Sequence, residues 1–239
     1  RGDRLKEERI LHKDETFPRE ILLMKGHNVN YGAPVSTMIS LGGADITEVG
    51  YANGCSVEEI ETSISLATVG IVFVQSHHCV QKNMPTLKGV YEVAKKHNIP
   101  LIVDAAAEEN ISAYGNVSDL VIFSGSKAIE GPTSGIVAGK EKYISYVKGH
   151  HYGIGRSMKI GKESIFGLLQ ALEDYHLTGL SKEEQLKRLA TIKTLNDIDG
   201  VSVAIHQDEA GREIYRARIT IDKEKTKIDA ITLVERLKN

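Results

Sequence analysis

Four apolar runs rich in β-branched residues constrain the fold of this chain more than any other feature. They occupy residues 20–26, 69–76, 99–106 and 119–126, and amphipathic segments such as 86–98 lie between them. Runs that are apolar throughout are typical of strands buried on both faces, and intervening helices indicate parallel pairing. The sequence therefore predicts an α/β fold built on a mostly parallel sheet.

The pattern changes after about residue 155. Long helical patterns are followed by two strand-like segments, 201–207 and 213–222, and by a terminal helical segment, 227–239. Two strands and a helix after long helices favour a small α+β domain. We therefore predict a large domain over residues 1–178 and a small C-terminal domain over residues 179–239.

The composition argues against several classes of protein. The 30 basic and 32 acidic residues give a net charge of −2, so nucleic-acid and membrane partners are not expected. Cys55 and Cys79 are the two cysteines and form no CxxC motif, which argues against a disulfide framework and favours a cytoplasmic protein. No apolar run approaches the roughly 18–20 residues of a transmembrane helix.

One lysine stands at the end of the last apolar run. Lys127 follows the strand-like segment 119–126 and lies among glycine and serine residues. It is either a solvated loop lysine or a partly desolvated, nucleophilic Schiff-base lysine. The small neighbours favour the second interpretation, because they let backbone N–H groups and hydroxyls approach a bound anion.

A carboxylate ends the preceding apolar run. Asp104 closes the sequence LIVD, and a carboxylate after three apolar residues is costly unless it meets a positive partner. Asp104 either caps the next helix or pairs with the pyridinium nitrogen of a cofactor. Ser76 and Ser124 also end apolar runs, and active sites of parallel sheets collect at these strand ends.

Longer strings carry a family resemblance. They are IVDAAAEEN (102–110), FSGSKAIEGPTSGIVAG (123–139), SHHCVQKNM (76–84), GIGRSMKIGKE (153–163) and QDEAGREIYRARI (207–219). Together they resemble fold-type I pyridoxal-phosphate (PLP) enzymes, in the branch that contains bacterial selenocysteine synthase and glucosaminate-6-phosphate ammonia-lyase. The resemblance spans about residues 20–222 and implies a fold of the aspartate aminotransferase type with PLP as cofactor.

The resemblance implies cofactor-binding roles for six residues. Lys127 would bind the cofactor covalently, Asp104 would keep its pyridine nitrogen protonated, and Ser124 would contact its phosphate. His27 is expected to stack on the cofactor ring, with a satisfied loop histidine as the alternative. Ser76 and His77 are expected near the phenolic oxygen.

Basic residues are candidates for substrate binding. Arg156 and Lys159 lie in a glycine-bearing loop before a helix, where they would bind a phosphorylated or carboxylated substrate. Arg216, with Arg212 and Arg218 nearby, is expected to bind the substrate carboxylate from the small domain. Ordinary surface charge is the alternative for each of them.

The implied activity is that of a PLP-dependent lyase. It would eliminate the β-hydroxyl and release ammonia from an amino acid or amino sugar acid, with D-glucosaminate 6-phosphate as the expected substrate and a 2-keto acid as product. The resemblance also implies at least a homodimer. A transferase of selenium to seryl-tRNA, an aminotransferase or racemase, and a non-catalytic protein of the same fold remain alternatives.

The sequence departs from the family at its N-terminus. The family carries a Gly/Ser/Thr-rich phosphate cup upstream of the segment that matches residues 20–26, and residues 1–20 contain no such motif. The chain also begins without methionine, in a run of charged residues. We therefore expect the N-terminal part of the family to be missing and the PLP site to be incomplete.

Overall fold

The computed structural model describes residues 16–175, 181–208 and 214–238. The chain divides into two compact units, Arg1–Leu177 and Thr178–Asn239. The assignment of cofactor binding to the first part of the chain stays a prediction. Most of the segment expected to lack a phosphate cup, and Arg212, lie outside the described residues.

Within the described residues, a six-stranded sheet forms the centre of the first unit. Its strands are β1 (Glu20–Met24), β2 (Asp45–Val49), β3 (Thr68–Val74), β4 (Leu101–Asp104), β5 (Leu120–Ser124) and β6 (Gly135–Gly139). They are ordered β2-β1-β3-β4-β5-β6; β1 to β5 run parallel, and β6 is antiparallel to β5. The predicted mostly parallel sheet is confirmed, and β6 is an addition that the sequence pattern did not indicate.

In the described part of the first unit, α-helices connect β1 to β2, β2 to β3 and β3 to β4, and two more follow β6. They are α1 (Val35–Leu41), α2 (Val57–Thr62), α3 (Leu87–Lys96), α4 (Glu141–Gly149) and α5 (Lys162–Glu173). The start of α2 is fixed by a capping box, in which the Ser56 hydroxyl accepts from the Glu59 N–H and the Glu59 carboxylate accepts from the Ser56 N–H. Two orphan backbone donors are satisfied in this way, which sets the helix boundary.

Both faces of the sheet are buried. On one face Leu22, Ile71 and Val103 pack with apolar residues of α2 and α3. On the other face Leu23 and Val74 pack with residues of α1 and its surroundings. Successive strand residues point to opposite faces, so burial on both sides explains why these strands read as continuous apolar runs.

The second unit combines helices with a hairpin. Its elements are α6 (Lys182–Ala190), β7 (Val201–Gln207), β8 (Tyr215–Ile221), α7 (Lys223–Thr226) and α8 (Ala230–Leu237), and β7 and β8 pair antiparallel. One of the long helical patterns after residue 155, residues 181–198, predicts a single α-helix, and this prediction is wrong in its second half, where residues 191–197 form a 3-10 helix. There the Asn196 side chain accepts from the Val203 N–H at 2.8 Å, which ties this segment to β7. In the part of the chain that is described, no helix is long and apolar enough to cross a membrane.

Candidate active site

The carboxyl ends of β3, β4 and β5 lie side by side. Asp104 is in register with Val74 of β3 and with Ile122 of β5, so its backbone lies between two neighbouring strands. Its Oδ1 accepts from the Ala106 N–H at 3.0 Å, two residues further along the chain. Among the described residues, β4 is followed by this turn and not by an α-helix, so Asp104 does not cap a helix. The carboxylate is half-buried at the edge where ligands of parallel sheets bind.

Lys127 lies in a tight turn directly after β5. The turn is closed by two backbone hydrogen bonds, from Gly125 N to Ser134 O at 2.9 Å and from Gly131 N to Gly125 O at 2.7 Å. A Cβ on Gly125 would overlap the Ser134 hydroxyl and approach the Leu168 side chain at 2.9 Å. The glycine is therefore required for the close packing that presents the exposed Lys127 side chain.

Ser124 ends β5 beside the Asp104 turn. Its N–H donates to Ala106 O at 3.1 Å, and its hydroxyl lies 3.4 Å from that of Ser126. Two hydroxyls therefore stand within three residues of the Lys127 amine along the chain. They are suitable donors for an anionic group such as a phosphate.

An aromatic residue that sequence reasoning missed completes this group. Tyr31 lies in the loop between β1 and α1, and the Lys127 Nζ is 5.8 Å from its ring centroid. Ser76 lies close to the Tyr31 phenol. The one sequence signal for Tyr31 is an aromatic residue in a polar loop, NVNYGAP, at the carboxyl end of a parallel strand.

The electrostatics of Tyr31 follow from these neighbours. Burial raises the pKa of the Tyr31 phenol, the nearby Ser76 side chain opposes this, and electrostatic interactions with Cys79 and Asp104 add to the rise. The net direction is upward, so Tyr31 remains a neutral phenol at physiological pH.

Ser76 and His77 follow β3 at the same edge. The Ser76 Oγ accepts from the His78 N–H at 3.2 Å, and the side chain is half-buried. His77 is exposed, with its ring centroid 4.0 Å from that of His78. The structure thus brings Ser76 near Tyr31, while contact of Ser76 or His77 with a cofactor stays a prediction.

His27 occupies the core and not the open side of the strand edge. Only 3% of its surface is exposed, and its ring meets Phe73 edge-on with centroids 4.6 Å apart. Its Nδ1 accepts from the Val74 N–H at 3.0 Å, and burial lowers its pKa to about 4. This environment supports the alternative of a satisfied, neutral histidine over the expected stacking on a cofactor.

The predicted substrate-binding residues belong to later segments of the chain. Arg156 and Lys159 are exposed, in and just after the 3-10 segment Ile154–Met158. Arg216 lies on β8 of the second unit, where its Nη1 donates to Asp208 Oδ1 at 2.6 Å. The Asp208 side chain is fully buried, so this ion pair gives Arg216 a structural task. Substrate binding by all three stays a prediction.

The chemistry of this set of residues fits PLP. A carboxylate suits a protonated pyridine nitrogen, a primary amine suits an aldehyde, and paired serine hydroxyls suit a phosphate. Asp104, Lys127, Ser124 and Ser126 supply these groups at the ends of two adjacent strands. Tyr31 adds an aromatic face next to the amine.

The chain is similar to known proteins over most of its length. Residues 16–207 match the family model SelA, L-seryl-tRNA selenium transferase. The chain is 42% identical to D-glucosaminate-6-phosphate ammonia lyase of Salmonella typhimurium, over 88% of this chain and 57% of the relative. A solved structure of D-glucosaminate-6-phosphate ammonia-lyase matches 94% of this chain and 60% of its own, with 40% identity and a TM-score of 0.76.

A second relative has a different activity. The chain is 37% identical to 5'-C-glycyluridine monooxygenase-decarboxylase of a Streptomyces species, over 92% of this chain and 57% of that protein. The chain thus spans a little over half the length of both curated relatives. These two relatives carry out different reactions, so the reaction has to be argued from the site.

Proposed function

The chain belongs to the SelA (L-seryl-tRNA selenium transferase) family, and on that premise we propose a PLP-dependent lyase that releases ammonia from D-glucosaminate 6-phosphate. The observation that carries the proposal is the juxtaposition of Asp104 and the Lys127 turn at the ends of β4 and β5. The 42% identity to an ammonia lyase supports this choice of reaction.

Each side chain of the proposed site has a distinct task. Asp104 holds the proton on the pyridine nitrogen, and Ser124 and Ser126 donate hydrogen bonds to the phosphate. PLP, when bound, supplies an electron sink for negative charge at the substrate Cα. Lys127 would hold the cofactor and would accept the Cα proton as general base.

The reaction balances without an oxidant. The Cα–H bond breaks and its proton passes to Lys127, and the Cβ–O bond breaks with loss of water. Hydrolysis of the resulting imine by one water then gives a 2-keto acid and ammonia. Arg156, Lys159 and Arg216 are proposed to bind the phosphate and carboxylate of the substrate, because they are exposed cations.

A spectrum of the full-length protein with PLP tests the proposal. We expect a visible absorption band that is lost in Lys127→Ala and retained in Lys148→Ala, a control lysine on α4. D-glucosaminate 6-phosphate should then yield a keto acid and ammonia in equal amounts. A protein that binds PLP but releases neither product from this substrate contradicts the lyase reaction.

The monooxygenase-decarboxylase relative supports a second candidate reaction. Its test uses the same protein with 5'-C-glycyluridine, measuring oxygen consumption and release of carbon dioxide. Selenium transfer to seryl-tRNA and transamination are tested with the same protein in separate assays. A protein that binds no PLP and turns over none of these substrates supports a non-catalytic role.

We further propose that the protein acts in the cytoplasm as a homodimer or higher homo-oligomer. The family resemblance supports an oligomer, since sites of this fold class are expected at subunit interfaces. Light scattering of the purified protein should give a multiple of the monomer mass. A monomer that still binds PLP contradicts this part of the proposal.

A further inference from the structure

The helix α5 packs directly against the turn that carries the candidate catalytic lysine. A Cβ on Gly125 would lie 2.9 Å from the Leu168 Cδ1 atom, and a Cβ on Gly131 would lie 3.2 Å from the same atom. These two glycines close the Lys127 turn, because the Gly131 N–H donates to Gly125 O at 2.7 Å. One methyl group of α5 therefore fills the space that both glycines leave open by having no side chain.

The lysine turn has further anchors on both of its flanks. Ile129, two residues after Lys127, is 4% exposed and belongs to the same apolar cluster as Leu168. Pro132 follows the turn and also meets α5, since a Cβ on Gly167 would lie 3.0 Å from the Pro132 Cγ atom. Interiors are packed closely enough that a change of one methylene is felt by neighbouring groups. The turn therefore cannot move without disturbing its packing against α5.

The same face of α5 reaches the segment that follows Asp104. Leu168 and Tyr175 are seven residues apart, so Tyr175, just beyond the end of the helix, continues the face of Leu168. The Tyr175 hydroxyl donates to Glu109 O, which also accepts from the Ile111 N–H at 3.0 Å. Burial raises the pKa of the Tyr175 phenol, and an electrostatic interaction with Glu109 adds to the rise, so the hydroxyl keeps the proton that it donates.

The two segments are also bonded to each other at the strand ends. The Ser124 N–H donates to Ala106 O, and the Ala106 N–H donates to the Asp104 carboxylate. Lys127 lies three residues beyond Ser124, however, and Glu109 lies five residues beyond Asp104. The strand ends are thus held directly, while the outer parts of both segments are supported by α5.

We propose that α5 sets the distance between Lys127 and Asp104 in the candidate site. Leu168 is the positioning residue for the lysine turn, and Tyr175 is the positioning residue for the segment after Asp104. This rests on the proposed function, because a rigid ring held at its aldehyde carbon by an amine and at its nitrogen by a carboxylate fixes how far apart these groups must stand. A misplacement of about 1 Å can slow a reaction about a hundredfold, so the packing of α5 bears on the rate.

Amide hydrogen exchange of the full-length protein without PLP tests these contacts. Leu168→Ala removes the methyl group between the two glycines, so exchange in residues 125–131 should become about tenfold faster or more, while exchange in α2 stays as in the wild type. Leu169→Ala, at the exposed neighbour on α5, is the matched control and should change neither. Leu168→Met conserves the volume and should restore the wild-type rate. Equal acceleration throughout the sheet would mean general destabilisation and would overturn the positioning role.

A second variant removes only one hydroxyl group. Tyr175→Phe should speed exchange in residues 105–111 about threefold to tenfold, as expected for the loss of one hydrogen bond. Tyr146→Phe, at an exposed tyrosine on α4, is the control and should have no effect there. If Leu168→Ala does not fold, Tyr175→Phe decides, and wild-type exchange in residues 105–111 then contradicts the proposal.

The enzyme with PLP bound separates this inference from the proposed function. With D-glucosaminate 6-phosphate, kcat of Leu168→Ala should fall about tenfold to a hundredfold and KM should change less than about threefold, because the change affects alignment more than substrate binding. If this substrate is not turned over, the PLP dissociation constant is measured instead and should rise about tenfold, since a site that must first be ordered binds more weakly.

Two results would overturn the inference in different ways. If the wild type forms no visible band with PLP, the proposed function fails and this inference with it. If the wild type forms the band, and folded Leu168→Ala and Tyr175→Phe keep the wild-type kcat and PLP affinity, the positioning role is wrong and the proposed function stands.

Discussion

Asp104 and His27 both follow buried parallel strands, yet their surroundings are opposite. Asp104 remains half-buried at the strand edge, with one oxygen on the Ala106 N–H. His27 turns back into the core, where the Val74 N–H needs an acceptor. The position after a strand therefore marks a residue as a candidate, and the unpaired backbone groups nearby decide where its side chain goes.

The buried His27 should make folding sensitive to mild acid. Its folded-state pKa is lowered to about 4 by burial, against an ordinary value of 6.5. Between these values the unfolded state binds a proton that the folded state does not, so stability is full above pH 6.5 and falls towards pH 4. The loss amounts to about 3 kcal/mol over that window.

Urea unfolding at pH 7 and pH 5 checks the effect of His27. His27→Gln supplies a neutral side-chain carbonyl for the Val74 N–H and should reduce the drop in the free energy of unfolding between the two pH values. His151→Gln, at an exposed histidine, should leave the drop as in the wild type. An equal drop in His27→Gln and wild type would mean that His27 is not the responsible group.

At the scale of elements, the sequence locates a helix or strand correctly where residues close together in the chain define its end. The capping box at Ser56 starts α2 with two residues only three positions apart in the chain. The strand β6 escaped prediction because it begins and ends with glycine and, among the described residues, pairs with β5 alone at the edge of the sheet. Gly139 has a φ of +151°, and a Cβ there would overlap the Asp119 backbone, so its identity reflects pairing with β5 and not strand propensity.

Removing the capping hydroxyl of α2 should destabilise the protein measurably. Ser56→Ala leaves the Glu59 N–H without its acceptor and should lower the free energy of unfolding by about 1 kcal/mol. Ser40→Ala replaces an exposed serine inside α1 and should be neutral or slightly stabilising, because alanine is the better helix former. Chemical denaturation of both variants makes the comparison, and equal stabilities would contradict the capping contribution.

At the scale of the whole molecule, charge bears on the choice between members of the family. The 30 basic residues are offset by 32 acidic ones, and binding to a phosphate backbone depends on an excess of positive charge that displaces counterions. A small amino sugar acid phosphate needs only a few cations in its site. The charge balance therefore supports a small-molecule substrate.

This chain should not bind tRNA. In a gel-shift assay at about 50 mM salt, where electrostatic binding is strong, we expect no retarded complex with seryl-tRNA. A selenium transferase of the same family serves as the positive control. A salt-dependent shift would overturn the expectation and favour selenium transfer.

The sequence by itself determined the parallel sheet and the positions of Asp104 and Lys127, because apolar runs and the residues that end them are local features of the chain. Only the tertiary structure decided which ring faces the lysine, since the choice between His27 and Tyr31 depends on contacts with β3 that are distant in sequence. The same holds for Arg216, whose partner Asp208 is brought close by hairpin pairing. Strand ends can be located from periodicity, whereas side-chain orientation depends on which donors and acceptors the fold leaves to be satisfied.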